Sequence, residues 1–531
     1  MVVRSLIVWL ACCGVAIAQE PAASPAPVAD HHELPPVAKN LTTAFDVAVA
    51  VAHDLRSMPA DIRPAYRYFW CLHPDDHLAL SVALNYAVSR TARIYAHDVL
   101  GNGAIARVRL DQLAPRTKEF AQAALTFSRL AGRDPYFHTS IERLLEVEEF
   151  EWKGARYKAI NVDTGFIAPV YGAAGKALHA MSAADPTQPA AGVLLRADWF
   201  ARKALTQIDG GAYYAFKALK GPDPNQPPVK FDVYLRSRGV DPVVVAEFRS
   251  KNRAAMFRSK VTGKPRWTEA FRATAVRPDI GTGTCMVTHD VKTERVGRAD
   301  FDVFRNLLEA SDDGREVLIE GPNGLWEATL FDGDGNLVDS APDSLVSDHT
   351  IEAPFDRRLE PVLSCIACHS QNSGWQPMPN QVREMLGPGL LEVPFDLASK
   401  KPLAETIDDL YSAYEAEFDE ILRLSRTTYE QQWFRLTAGT QAKVAVPKLL
   451  TRVRGYAQDM VDARTALAEL GVSPLGVAPE PLPVVTLRSV LGKRAPEDPI
   501  LGALMLGLSV DRKQWERVYL DAVVRAANGG R

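Results

Sequence analysis

Five consecutive residues, Cys365-Ile366-Ala367-Cys368-His369, constrain the fold of this chain more than any other feature. Side chains at i, i+3 and i+4 share one face only when the backbone turns as a helix. A segment that uses its two thiols and its imidazole together must therefore be helical. The chain has 531 residues and six Cys, too few for a disulfide-stapled scaffold. Cys12 and Cys13 lie in an apolar stretch at the start. Cys71 and Cys285 stand apart from everything else. In an oxidising compartment that last pair is a candidate disulfide, the alternative being two separately buried thiols.

The start of the chain reads as an address. Residues 1–18 carry Arg4, then an apolar run from Leu6 to Val15, then Ala16-Ile17-Ala18. That is the charged, apolar and small-residue order of a cleavable signal peptide. The run is too short to span a bilayer comfortably, so no stable membrane span is expected. A lipoprotein attachment at Cys12 is the weaker alternative, because Trp9-Leu10-Ala11 precedes it poorly. The expected location is periplasmic or secreted. Residues 19–40 are rich in Pro and Ala and read as a tether, with His31-His32 as solvated polar residues.

Export gives the five-residue motif its chemistry. Cys-x-x-Cys-His is the attachment pattern for a covalent haem c. Thiols at 365 and 368 reach two vinyl groups as thioethers, and His369 supplies the proximal ligand to iron. Three other chemistries use a CxxC. A structural zinc needs a second pair of ligands, and the nearest upstream His is His349. A thioredoxin-type pair follows an early strand in a βαβ pattern, whereas this one comes late. A disulfide across two residues is rarely favourable. One motif implies one haem.

The sixth ligand is open on sequence grounds. Met378 in Gln376-Pro377-Met378-Pro379 is the leading candidate, nine residues past His369. A fully extended chain of that length reaches about 30 Å, so Met378 rounds a haem edge only if nearly extended. Met385, Met460, His73, His77, His138, His289 and His349 are the alternatives, as is a distal side left to water.

Composition sets the remaining bounds. With 61 Lys and Arg against 65 Asp and Glu, the chain lacks the basic excess of a general nucleic-acid binder, so no nucleic-acid partner is expected. The patterning predicts an α+β fold, predominantly α-helical. A small antiparallel β-meander precedes the haem-binding segment, and the C-terminal region is helical. The expected divisions are residues 41–265, mixed α/β; 266–400, meander and haem segment; and 401–531, helical. Helices are expected over 117–132, 166–183, 193–208 and 230–256, and in the segment opened by Pro74-Asp75-Asp76. Leu410, Tyr414, Phe418 and Leu422 mark one helix face. A hairpin is expected across Gly101-Asn102-Gly103. Short strands are expected around Gly321-Pro322-Asn323-Gly324 and Asp332-Gly333-Asp334-Gly335-Asn336. The second cluster resembles a calcium loop, but Leu337 stands where such a loop needs Gly, so a plain turn is expected.

Several islands together resemble a family. They are Gly314-Arg315-Glu316-Val317-Leu318-Ile319, Gly321-Pro322-Asn323-Gly324-Leu325, Asp334-Gly335-Asn336-Leu337 and the Cys365–His369 motif. Arg67-Tyr68-Phe69, Arg196-Ala197-Asp198-Trp199-Phe200, Glu417-Phe418-Asp419 and Ala468-Glu469-Leu470-Gly471 add to them. This set is similar to a family of large secreted monohaem c-type cytochromes frequent in planctomycetes. The resemblance implies haem and export, and no substrate. The leading expectation is electron transfer with a redox partner protein. The alternatives are a peroxidase- or oxidase-like haem enzyme, with His289, Glu316 or Asp348 as acid or base, and a haem-containing sensor or binding module of an envelope complex. No Ser-His-Asp, HExxH or phosphate-loop pattern is present.

Overall fold

The computed structural model describes residues 34, 36–59, 61–131, 133–137, 147–152, 155–160, 193–219, 227–243, 255–258, 265–272, 283–290, 312–341, 359–371, 420–421, 423–424, 426–470, 472, 483–492 and 495–527. The fold is α+β and predominantly helical, with small sheets. Leu34–Arg531 form one compact unit.

The first helix, Ala44–Arg56, starts from a capping box. Asp46 N–H donates to Thr43 Oγ1 (2.9 Å), and Thr43 N–H donates to Asp46 Oδ2 (3.2 Å). Its Val47, Val51 and Leu55 are buried, and the helix packs on β1 (Tyr66–Trp70). All five residues of β1 are buried, as expected of a central strand. Strands β2 (Asp98–Leu100) and β3 (Ile105–Arg109) form the expected hairpin. Its Gly101-Asn102-Gly103 turn has positive φ at every position, a conformation that Gly and Asn accept. Strands β4 (Val147–Trp152) and β5 (Ala155–Ile160) make a separate antiparallel pair.

One expectation is corrected next. The segment 193–208 begins as a strand, β6 (Leu194–Arg196), and only then becomes the helix Ala197–Ala204. β6 pairs in parallel with β1, giving the sheet order β2-β3-β1-β6. The free edge of the buried β1 captures Leu194 and Leu195, which are themselves buried. That is a tertiary effect, which helical spacing does not register.

The second sheet contains the predicted meander and exceeds it. Strands β7 (Ala255–Arg258), β8 (Pro265–Arg272), β9 (Thr284–Asp290), β10 (Gly314–Glu320), β11 (Trp326–Asp332) and β12 (Leu337–Val338) lie in sequence order, each antiparallel to the next. The helix expected over 230–256 is found only in part. Residues 242–243 are helical, 244–254 lie outside the described residues, 255–256 belong to β7, and the first part of the span is the helix Phe231–Ser237. Gly239 at φ +74° ends it, with Val240 N–H returning to Leu235 O at 2.9 Å. At the β11–β12 turn Asn336 donates twice to the Asp332 carboxylate (2.8 and 2.9 Å). The segment 166–183 and the 410–419 face lie outside the described residues.

In the C-terminal region, residues 426–436 are helical. Helices Ala442–Gln458, Ala463–Glu469, Pro483–Leu491, Pro499–Met505 and Arg512–Ala527 follow. Asp462 and Asp498 cap two of them with their carboxylates. A two-residue ladder, β13 (Met460–Val461) with β14 (Val510–Asp511), closes this layer.

Buried charge ties the C-terminal layer to the N-terminal one. Arg196 forks onto Asp198 (2.9 and 2.8 Å) and reaches Glu469 (3.0 Å). Arg512 and Trp515 Nε1 donate to the same Glu469 carboxylate (2.6 and 2.7 Å). Arg452 bridges Asp198 (2.8 Å) and Asp76. The Arg196 guanidinium lies 4.1 Å from the centre of the Tyr136 ring. Burial alone would raise the Asp198 carboxyl, but Arg196 and Arg452 hold it below its usual range.

Candidate functional site

The Cys365–His369 motif lies on the helix Leu363–Gln371. Leu363, Ile366 and Ala367 are buried at 0%, 1% and 4% exposure, while Cys365 and His369 are half-buried. Cys365 packs at the edge of the core, and His369 follows it one turn along on the same side of the helix, as the i, i+4 spacing requires. The side chain of Cys368 lies outside the described residues. The buried side packs on Ala442–Gln458, which itself packs on Asp75–Ala83 and Ala197–Ala204.

The start of this helix is fixed by charge. Glu360 accepts a bidentate pair of bonds from Arg202 (2.6 and 2.7 Å), and its backbone N–H donates to Ser364 Oγ (3.0 Å). Arg454 donates to the same hydroxyl (3.2 Å). Val362, directly before the helix, is buried and held at φ +70°, a conformation costly for a β-branched residue. These anchors hold the first turn, and hence Cys365, against the core.

Glu316 on β10 reaches across to the motif. The Cys365 thiol donates to Glu316 Oε1 at 3.1 Å. Strand register places Glu316 beside Thr288 and Thr288 beside Thr268, so all three project from one face of the sheet. Thr268 and Thr288 share a hydroxyl hydrogen bond of 2.8 Å. The neighbours of Glu316 two residues along on the same face, and one strand over, are Leu318 and Leu330. His289 pairs with Arg315 and so projects from the opposite face. There it is fully buried, with Nδ1 at 2.7 Å from Asp312 Oδ2. Burial raises the Asp312 carboxyl, but hydrogen bonds from His289 and Arg315 outweigh it and hold the group down at about 2. Of the two described acid–base candidates, the fold brings Glu316 to the motif and engages His289 with Asp312 on the other face. Asp348 lies outside the described residues.

The Gly321-Pro322-Asn323-Gly324 turn braces the same neighbourhood. Asn323 Nδ2 donates to Asn85 O (2.9 Å). Gly324, at φ +75°, presses on the helical residues Thr428 and Gln432, where a Cβ would meet Thr428 Cγ2 at 2.7 Å. Beside it, Trp433 Nε1 donates to Tyr86 Oη (3.0 Å), which shares a second bond with Tyr429 Oη (3.0 Å).

The remaining candidates separate cleanly. Cys71 carries a free thiol, so the candidate Cys71–Cys285 disulfide is not formed. Cys71 follows β1 in the first sheet, and Cys285 lies on β9 between Ile319 and Phe271 of the second. Each is buried within its own sheet, and burial pushes the Cys71 thiol well above its ordinary range. His77 is engaged with His97 (2.9 Å between ring nitrogens) and with Gly103 O (2.8 Å). Burial and His77 together hold His97 down at about 4. His73 faces Asp75, and Met460 is exposed on β13. Met378, Met385, His138 and His349 lie outside the described residues. Among the described residues no group of three or more His, Cys, Asp and Glu side chains is placed to hold a metal ion. A surface cleft of about 790 Å³ lined by Arg133, Lys513, Glu516 and Arg517 shares no residue with the motif helix.

Sequence reasoning missed one set of residues. Arg202, Glu360 and Arg454 are far apart in sequence, and single charged residues in helices read as solvated. Glu316 is among the candidate acids and bases, but its approach to Cys365, 49 positions away, has no signal in the sequence. The chain matches no family model, no curated protein and no solved structure. Among the described residues no helix is long and apolar enough to cross a membrane.

Proposed function

We propose that this chain is an exported c-type cytochrome that carries one covalent haem on Cys365, Cys368 and His369 and transfers electrons to or from a partner protein. The observation that carries the reading is the helix Leu363–Gln371, whose Leu363, Ile366 and Ala367 are buried while Cys365 and His369, one turn apart on one side, are only half-buried. The donor set fits the group: two thiols for thioethers and an imidazole for iron, at the spacing one helical turn offers. When bound, haem supplies a one-electron couple that stays attached outside the cell. The protein's own part is to orient that group. Arg202, Glu360, Ser364 and Arg454 fix the first turn, so Cys365 and the imidazole one turn on are presented from an anchored element. The signal-like start of the chain supports export, and the islands that resemble segments of large secreted monohaem cytochromes support the same assignment.

A haem enzyme is the second reading, and one observation favours it: a carboxylate, Glu316, stands beside the motif as a candidate acid or base. The test of both is a pyridine haemochrome assay and a visible spectrum of protein exported from a host that matures c-type haem. The wild type is expected to carry one haem through two thioethers, Cys365→Ala or Cys368→Ala through one, and His369→Ala to lose the ligand field of histidine. A wild type without covalent haem refutes the proposal. A six-coordinate spectrum indifferent to CO supports electron transfer, and CO or peroxide binding supports the enzyme.

A further inference from the structure

We propose that Glu316 is the residue that sets the reduction potential of the group bound at Cys365, by holding a carboxylate against it. This inference rests on the haem reading above and names a regulator of the same site.

The placement is specific. Glu316 Oε1 lies 3.1 Å from Cys365 Sγ, so the carboxylate is beside whatever that sulfur is bonded to. Its position on β10 is fixed by pairing on both sides, with Thr288 of β9 and Leu330 of β11. It therefore cannot swing away as a loop residue would. The neighbouring Leu318 and Leu330 show that an aliphatic side chain suits this face, and a carboxylate facing a packed helix costs solvation that an aliphatic residue would not. The Thr268–Thr288 hydroxyl pair continues from it in the same cross-strand row, so the polar strip ends at the motif. A carboxylate fixed there favours the more positive of two oxidation states. For iron that is the ferric state, so the charge lowers the potential.

The experiment is a spectroelectrochemical titration of the purified haem-loaded protein as wild type, Glu316→Gln, Glu316→Ala and Glu316→Asp. Glu320→Gln serves as the control. It lies on the same strand four residues along, about 14 Å away. Glu316→Gln and Glu316→Ala are expected to shift the midpoint upward, Glu316→Asp to stay near wild type, and Glu320→Gln to leave it in place. A midpoint that is unchanged or lowered in Glu316→Gln overturns the proposal. A second readout needs no neutral variant. Redox-difference infrared spectra of the wild type and Glu316→Asp are expected to contain a carboxylate band that moves between the two variants, and spectra without one overturn the proposal. Should the wild type carry no covalent haem, it is the underlying reading that fails, which these outcomes keep separate.

Discussion

Removing Arg202 isolates the anchor of the motif helix. Arg202 and Glu360 have side chains 9% and 11% exposed, joined by two bonds of 2.6 and 2.7 Å. With charge centres about 4 Å apart and an effective dielectric constant of ~20, their gross attraction is about 4 kcal/mol. Desolvation offsets most of this in the intact pair. In Arg202→Met the stem is replaced by a comparable apolar one while Glu360 stays buried without its main partner. The expected loss is about 3–5 kcal/mol. Neutralising the carboxyl as well, in Arg202→Met with Glu360→Gln, is expected to restore much of it, because the amide keeps its volume and no charge is stranded. Urea unfolding followed by far-ultraviolet circular dichroism and by tryptophan fluorescence, on the four proteins of this double-mutant cycle, measures the coupling. A coupling above about 2 kcal/mol fits a buried pair. One below about 0.5 kcal/mol, the value of an exposed pair, would refute the claim that this contact anchors the helix.

Two further outcomes follow from single buried groups. Asp134 is fully buried, with Oδ1 accepting from Tyr136 N–H (2.8 Å) and Oδ2 without a partner, and burial pushes its carboxyl from 3.8 up to about 7. The folded state therefore keeps a proton that the unfolded state loses. The resulting stability is present below pH ~4 and disappears as pH rises through about 7, on the order of 4 kcal/mol. Denaturation between pH 4 and 8 should show that slope in the wild type and a flatter profile in Asp134→Asn; equal slopes would count against it. Gly324→Ala places a Cβ 2.7 Å from Thr428 Cγ2 at φ +75° and should cost about 1–3 kcal/mol in a thermal or urea unfolding measurement, whereas a neutral result would mean the turn does not press on that helix.

The sequence by itself determined what depends on neighbours along the chain. The Cys365–His369 spacing implied a helix with a thiol–imidazole side, and Leu363–Gln371 is that helix. Alternating strands with Gly and Asn turns implied the meander, and β10, β11 and β12 are where they were expected. These features follow from backbone periodicity and φ preference, which are local. Tertiary structure decided the rest. Leu194–Arg196 became a strand because β1 had a free edge, and β7 to β9 enlarged the meander through pairing that no local pattern announces. Cys71 and Cys285 went into separate sheets, so being the two cysteines left over in the sequence did not make them a pair. Arg202 and Glu360 are 158 positions apart, and Glu316 and Cys365 are 49 apart. A charged residue distant in sequence is indistinguishable from a solvated one until folding removes water and leaves it a single partner.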